Sequence, residues 1–243
     1  MAVFRKGING AFSGTIGNTV GASWRQIDYM RSLPKPSKKP ATPRQLAQRA
    51  KFALAIAFLQ PMKWLLNIGY NDKNRGRSTG YNIALQQFIT KAIIGDYPDF
   101  EIDFSSISIS NGNMDKLLGA TVVSDAANTL SLAWMDLSAE PVEEDEEQGS
   151  YADDQVYVLL YNVNEQLFTT NRTATRQEEA LELQLPSIFA GHEFHVWAFV
   201  RRRDGARRSP SQYVGSVVLA GGTPPAPEPD EGDDDGDDGP IEP

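Results

Sequence analysis

The hydrophobic positions change period twice along the chain, and each change marks a different kind of structure. Over residues 15–32, TIGNTVGASWRQIDYMRS, apolar and polar residues alternate, which predicts a β-hairpin. Val20, Ala22 and Trp24 fall on one face, Arg25-Gln26 forms the turn, and Ile27, Tyr29 and Arg31 lie on the return strand. Residues 33–41, LPKPSKKPA, follow with three prolines that forbid helix and favour extended backbone, so they form a stiff basic connector.

The period then becomes helical. Thr42 stands at an N-cap, Pro43 at the first helical position and Gln45 at the third, a capping box with its favoured proline. Leu46, Ala50, Ala53, Leu54, Ala57, Phe58 and Leu65 recur near helical spacing. Pro61 kinks or splits this helix, because it lacks a backbone donor and clashes with the preceding turn. A second helix is predicted over 79–94, with Tyr81, Leu85, Phe88, Ile89 and Ala92 on its apolar face and Gly95 as C-cap. Between the two lies a polar loop bearing Lys73, Arg75 and Arg77.

From Phe100 the period is two. Phe100, Ile102 and Phe104 share one strand face, Asp99, Glu101 and Asp103 the other, and Ser105-Ser106 shift the phase as a bulge would. Further strands are predicted over 129–135, 155–163, 166–170, 180–185, 193–202 and 212–219, with Asp204-Gly205 as a hairpin turn. That spacing fits a β-sandwich of immunoglobulin or fibronectin type III kind, with Trp134, Tyr157 and Tyr161 in its core. After it, GGTPPAPEPDEGDDDGDDGPIEP has nothing to bury and is predicted disordered. The chain thus reads as α+β: a glycine-rich β-hairpin plus two helices over 1–110, an all-β sandwich over 111–220 and a disordered acidic tail over 221–243.

Within the first part, GINGAFSGTIGNTVG places glycines at Gly7, Gly10, Gly14, Gly17 and Gly21, a spacing that copies a helix face. Ile8, Phe12, Ile16 and Val20, four apart, are the residues that favour a helix there. Five glycines would forfeit about 4–5 kcal/mol in a helix relative to alanine, so extended or looping backbone is the cheaper state. Glycines in such backbone permit positive φ or the close approach of another chain.

Charge sharpens the division. Residues 1–95 hold 15 Lys and Arg against 2 Asp and Glu, net +13, whereas residues 96–243 hold 8 against 30, net −22. This polarity points to an acidic partner for the basic half, or to mutual neutralisation of the halves or of neighbouring subunits. The basic set is Lys35, Lys38, Lys39, Arg44, Lys51, Lys73, Arg75 and Arg77, with Trp24 and Tyr29 interleaved, a pattern that can grip phosphates without reading bases. No helix-turn-helix, zinc or RNP signature accompanies it. A second basic run, RRRDGARR at 201–208, has a local counterpart in the acidic EPVEEDEEQ at 140–148.

Candidate catalytic chemistry is sparse. No cysteine is present, which excludes disulfides, thiolate metal sites and cysteine nucleophiles. Phosphate-loop, dinucleotide and nucleophile-elbow motifs do not occur. His192 and His195, three apart, would turn to opposite faces of a strand, which favours packing over metal binding. Asp99, Glu101 and Asp103 read as the solvent face of a half-buried strand. The expectation is therefore a non-enzyme with no metal and no cofactor. The longest apolar block, residues 52–59, cannot span a bilayer, and the start shows no secretory pattern, so no membrane partner is expected. The expected location is the cytoplasm, or a particle assembled there.

The string GxxSGxxGxxVGxxW at 10–24, RSLPK at 31–35 and TPxQLAQRAKFALAIAFLQPMK at 42–63 resemble an uncharacterised bacterial family catalogued as a domain of unknown function. Related signatures recur in proteins that look phage- or prophage-borne. The resemblance is close over residues 3–110, departs at Gln26 where the family has glycine, and brings no established activity. It implies a two-part layout and a structural or assembly role. The expected function is thus a structural, assembly or protein-binding protein that docks protein subunits, its own or others, through Gly7, Gly10, Gly14, Gly17, Gly21, Trp24, Tyr29 and Arg31. The alternative is sequence-nonspecific nucleic-acid or polyanion binding through the basic set, with the acidic tail competing for the chain's own basic half.

Overall fold

A computed structural model describes residues 2–3, 12–24, 27–35, 40–71, 78–136, 138 and 150–221. The chain opens with a four-stranded antiparallel sheet made of β1 (Ala2–Val3), β2 (Gly14–Ile16), β3 (Thr19–Trp24) and β4 (Ile27–Ser32), in the order β1-β4-β3-β2. Trp24 pairs with Ile27, which leaves two residues for the predicted turn at 25–26; the turn itself lies outside the described residues. The glycine spacing is not helical over its described part. Gly17 opens the two-residue turn between β2 and β3 with φ 57°, at the position where a hairpin turn of this length needs glycine. Gly21 is buried under Phe12, and an added Cβ would collide with the Phe12 carbonyl and ring. Gly7 and Gly10 lie outside the described residues.

Helix α1 (Pro43–Leu59) starts on the predicted capping box: the Gln45 amide donates to Thr42 Oγ1 at 3.4 Å, and the Thr42 amide donates to Gln45 Oε1 at 3.0 Å. Pro61 splits the helix, and α2 (Lys63–Gly69) leaves at 88° to α1. Helix α3 (Gly80–Gln87), capped by Thr79, is shorter than predicted. It passes into a π-helical turn, Phe88–Ala92, and then into β5 (Ile93–Ile94), which pairs with β6 (Glu101–Ile102). The reason is local. Thr90 Oγ1 donates to the Gln86 and Gln87 carbonyls, and two consecutive β-branched residues then favour extended backbone. Gly95, with φ 80°, therefore ends a strand rather than capping a helix.

The strand predicted from Phe100 is likewise cut short at β6. Asp103 accepts bonds from the Ser105 amide and from the Ser105 and Ser106 hydroxyls, and this cap winds Phe104–Ser106 into a 3₁₀ turn where a bulge was expected.

The remainder is a seven-stranded antiparallel sandwich. One sheet holds β7 (Leu118–Val123), β8 (Thr129–Met135) and β11 (Ala180–Gln184), ordered β11-β8-β7. The other holds β9 (Gln155–Asn162), β10 (Leu167–Asn171), β12 (Glu193–Arg201) and β13 (Gln212–Val218), ordered β10-β9-β12-β13. Six of these strands match the predicted ones to within about two residues. β7 was not predicted. Its register slips between Leu118 and Thr121 around Gly119, at φ 60°, and that slip hides the alternation.

Both faces of the larger sheet are buried, which positions everything else. Val156, Val158 and Leu160 of β9, with Phe194, Val196, Ala198 and Val200 of β12, face the smaller sheet and share a core with Leu130, Leu132 and Trp134. Their alternates Tyr157, Leu159, Tyr161, Trp197 and Phe199 face the other way, into a second core built by α1, α2 and α3. Tyr157 and Tyr161 thus lie outside the inter-sheet core in which the sequence placed them. The helices form a third layer on a sheet face that a free-standing sandwich would leave to water.

Candidate docking surface

The N-terminal sheet is built differently from the rest: none of its described residues belongs to either hydrophobic core. Residues directly opposite on neighbouring antiparallel strands point to the same side. The pairs Val20↔Arg31, Ala22↔Tyr29 and Trp24↔Ile27 therefore place Trp24, Tyr29 and Arg31 together on one face, with three apolar neighbours. Gly14 and Gly21 pair with each other on the opposite face, and Gly17 sits at the turn between them. The structure thus gathers three of the eight predicted docking residues into one patch and assigns the described glycines to shaping the backbone beneath it. Trp24 is 48% exposed and Ile16, on the other face, 64%.

The electrostatics of this half follow from what it lacks. The described cations before residue 96 are Arg31, Lys35, Arg44, Arg49, Lys51, Lys63 and Lys91, and among the described residues none has a carboxylate within 4.0 Å. Lys51 and Lys63 turn their ammonium groups onto the Phe100 and Tyr81 rings, 4.8 and 5.7 Å from the centroids. Arg44 and Arg49 stay exposed on α1, and Lys35 is exposed in the connector. Lys38, Lys39, Lys73, Arg75 and Arg77 lie outside the described residues.

Arg201, Arg202, Arg203 and Arg208 each bond within the chain. Arg202 chelates Asp204 through Nε and Nη2, and Arg203 Nη1 lies 3.5 Å from Asp153. Arg201 donates to the Tyr157 hydroxyl, and buried Arg208 donates to the Ile68 carbonyl at the C-terminus of α2. An open pocket of about 550 Å³ at this tip is lined by Tyr151, Asp153, Arg202, Arg203 and Asp204, so each of its guanidinium groups already holds a carboxylate. The acidic segment 140–148, expected to pair with this tip, lies outside the described residues.

Both histidines pack. His192, in the turn before β12, accepts a bond from the Asn162 amide at 3.0 Å. His195 stacks on Phe104, ring centroids 4.0 Å apart, with Nδ1 2.7 Å from the Tyr213 hydroxyl. Burial holds the His195 imidazole below its ordinary pKa, and Glu193 offsets this only in part. The neutral ring is thus the folded form, whereas the unfolded chain takes up the proton at the ordinary value. Stability is expected to fall as pH drops through about 6.5. Thermal melts from neutral to acid pH should show that fall, and the His195→Gln variant should show less of it. Among the described residues no group of three His, Asp or Glu is placed to hold a metal ion. No single described helix is long and apolar enough to cross a membrane.

One surface escaped the sequence reading. Gln45, Gln48, Arg49, Phe52, Ala53 and Ile56 line a groove of about 560 Å³ on α1. Their spacing is a helical stripe in its own right, but Phe52 falls out of phase with the buried Ala55, Phe58 and Leu59, and the stronger stripe masked it.

Three strands over four, with a helical layer on the larger sheet, define the protein as an α+β chain built on an immunoglobulin/fibronectin III-like sandwich. It belongs to the Family of unknown function (DUF6266), whose model matches residues 11–215. None of the curated proteins matches it. Among solved structures, it is similar to the fn3 domain of human collagen alpha-1(XX) chain, at 12% identity and TM-score 0.34, over 47% of this chain and 93% of that one. It is also similar to the FN1-FN3 domains of chicken CNTN1, at 10% identity and TM-score 0.33, over 46% of this chain and 34% of that one. A third similar structure is the FN5 domain of Drosophila Lar, at 6% identity and TM-score 0.29, over 45% and 99%.

Proposed function

We propose that this is a non-enzymatic structural or assembly protein that docks another protein subunit, a second copy or a different chain, through its N-terminal sheet. A phage- or prophage-borne particle is the setting this reading favours. One observation carries it: a four-stranded sheet whose described side chains contribute to neither core gathers Trp24, Tyr29 and Arg31 with Val20, Ala22 and Ile27 on one face. A sheet of this kind gains most of its stability by burying such a face, and Trp, Tyr and Arg are the residue types that dominate protein interfaces. Seven cations of the basic half have no carboxylate within 4.0 Å among the described residues, which favours the second reading, polyanion binding.

Light scattering and a DNA gel shift at two salt concentrations separate the two. In the docking reading, the double variant Trp24→Ser/Tyr29→Ser weakens self-association or partner capture at least about tenfold, with mild salt dependence. A protein that stays monomeric and shifts DNA equally with and without the two substitutions sinks that reading. Steep log-linear loss of the shift with salt would favour the other.

A further inference from the structure

We propose that the exposed face of α1 is a docking site for the chain's own acidic C-terminal segment, residues 222–243. The site is the groove lined by Gln45, Gln48, Arg49, Phe52, Ala53 and Ile56, with Arg44 one turn before Gln48. It joins two kinds of surface that a folded chain seldom leaves open together. Phe52 is 45% exposed beside Ala53 and Ile56, and Arg44 and Arg49 have no carboxylate within 4.0 Å among the described residues. Helix α1 itself contains no acidic residue.

The occupant is chosen by charge, composition and reach. Residues 222–243 hold nine carboxylate side chains and no Lys or Arg. Ile241 is the only Leu, Ile, Val, Met or aromatic residue in the segment, and it is flanked by Asp237, Asp238 and Glu242. An aliphatic side chain beside carboxylates is the complement of Phe52 and Ile56, which follow Arg44 and Arg49 on the same helix.

The geometry places the two close together. The end of β13 is anchored, since the Asn128 amide donates to the Ala220 carbonyl and the Ala220 amide donates to Ser124 Oγ, each at 2.8 Å. Tyr161 pairs with His195 and His195 with Ser216, so Tyr161 lies two strands across from the end of β13. Phe58 of α1 packs on Tyr161 with ring centroids 5.1 Å apart. Two strand spacings are about 10 Å, and α1 climbs about 13 Å from Phe58 back to Arg49. A segment of this length reaches at most about 70 Å, so the groove lies within its reach. At that tether length the effective concentration is on the order of millimolar, enough for a modest charge-assisted contact to be populated.

The absence of cysteine makes the test clean, because a single thiol can be placed at will. A nitroxide attached at Glu242→Cys in the full chain should broaden the amide signals of residues 45–56 about twofold or more at low salt. The signals should recover when salt rises from about 0.05 to about 0.5 M, and the variant Arg44→Glu/Arg49→Glu should leave them sharp with the rest of the spectrum intact. Broadening centred on residues 201–208, or none at low salt, overturns the assignment. So does broadening that appears only between copies labelled separately. Partner docking by the N-terminal sheet is read by light scattering, so either idea can fail without the other.

Discussion

Replacing Phe58 with alanine is expected to cost about 3–5 kcal/mol of unfolding free energy, the range for removing a fully packed phenylalanine. Phe58 is where the helical layer meets the sheet. Its ring stacks on Phe88 at 5.2 Å and meets Tyr161 and Phe168 edge-on at 5.1 Å each, with Phe104 at 6.2 Å. These partners come from the turn after α3, from β9, from β10 and from the 3₁₀ turn after β6, so no one element can move to close the void. Urea unfolding should show the midpoint falling with the slope unchanged, and Phe58→Leu should cost less because it keeps part of the volume. A cost below about 1 kcal/mol would mean that the helices do not rely on this sheet face.

The same packing explains what the sequence could show and what it could not. Local signals were legible. Thr42, Pro43 and Gln45 announce the start of α1, Pro61 its break, and alternation located six of seven sandwich strands. These depend on residues a few positions apart. Which layer covers which face depends on residues a hundred positions apart, and the run VYVLLY in β9 is apolar on both faces. Nothing within it says that Tyr157 meets the helices while Val158 meets the second sheet. The end of α3 failed for a related reason: the preference of Ile93 and Ile94 for strand is decided by a partner, Glu101–Ile102, that helical periodicity does not register.

For the docking surface, alternation alone placed Trp24 opposite Ile27 and Tyr29 beside them. It could not show that β2 extends the sheet past the hairpin, because Gly14 and the turn residue Gly17 leave β2 too few apolar residues to show alternation. Charge was legible as a total and illegible as pairs. Among the described residues, the ion pairs of Arg176, Arg202 and Arg203 all fall within the sandwich itself.

The other large effect is expected at Arg176, which lies fully buried on the 3₁₀ turn Arg176–Glu178. Its Nε is 3.6 Å from Asp154 Oδ2, and Nη2 and Nη1 donate to the Asp115 and Lys116 carbonyls at 2.8 and 3.4 Å. Asp154, also fully buried, accepts a bond from the Tyr151 amide, while its Oδ1 and the Arg176 Nε have no hydrogen-bond partner. Burial pushes the Asp154 carboxyl up more than Arg176 draws it down, and it pushes the guanidinium down. Removing the cation alone therefore strands a buried carboxylate, and Arg176→Ala should cost about 3–5 kcal/mol. Adding Asp154→Asn should return part of that loss, since the pair is held by geometry more than by net attraction. The pH dependence separates charge from cavity. In Arg176→Ala the Asp154 carboxyl, raised further, binds its proton in the folded chain before the unfolded chain does. Stability relative to the parent should then recover as pH falls from neutral toward the ordinary carboxylate range. A deficit that stays constant with pH would assign the loss to the missing packing and to the two freed carbonyls instead.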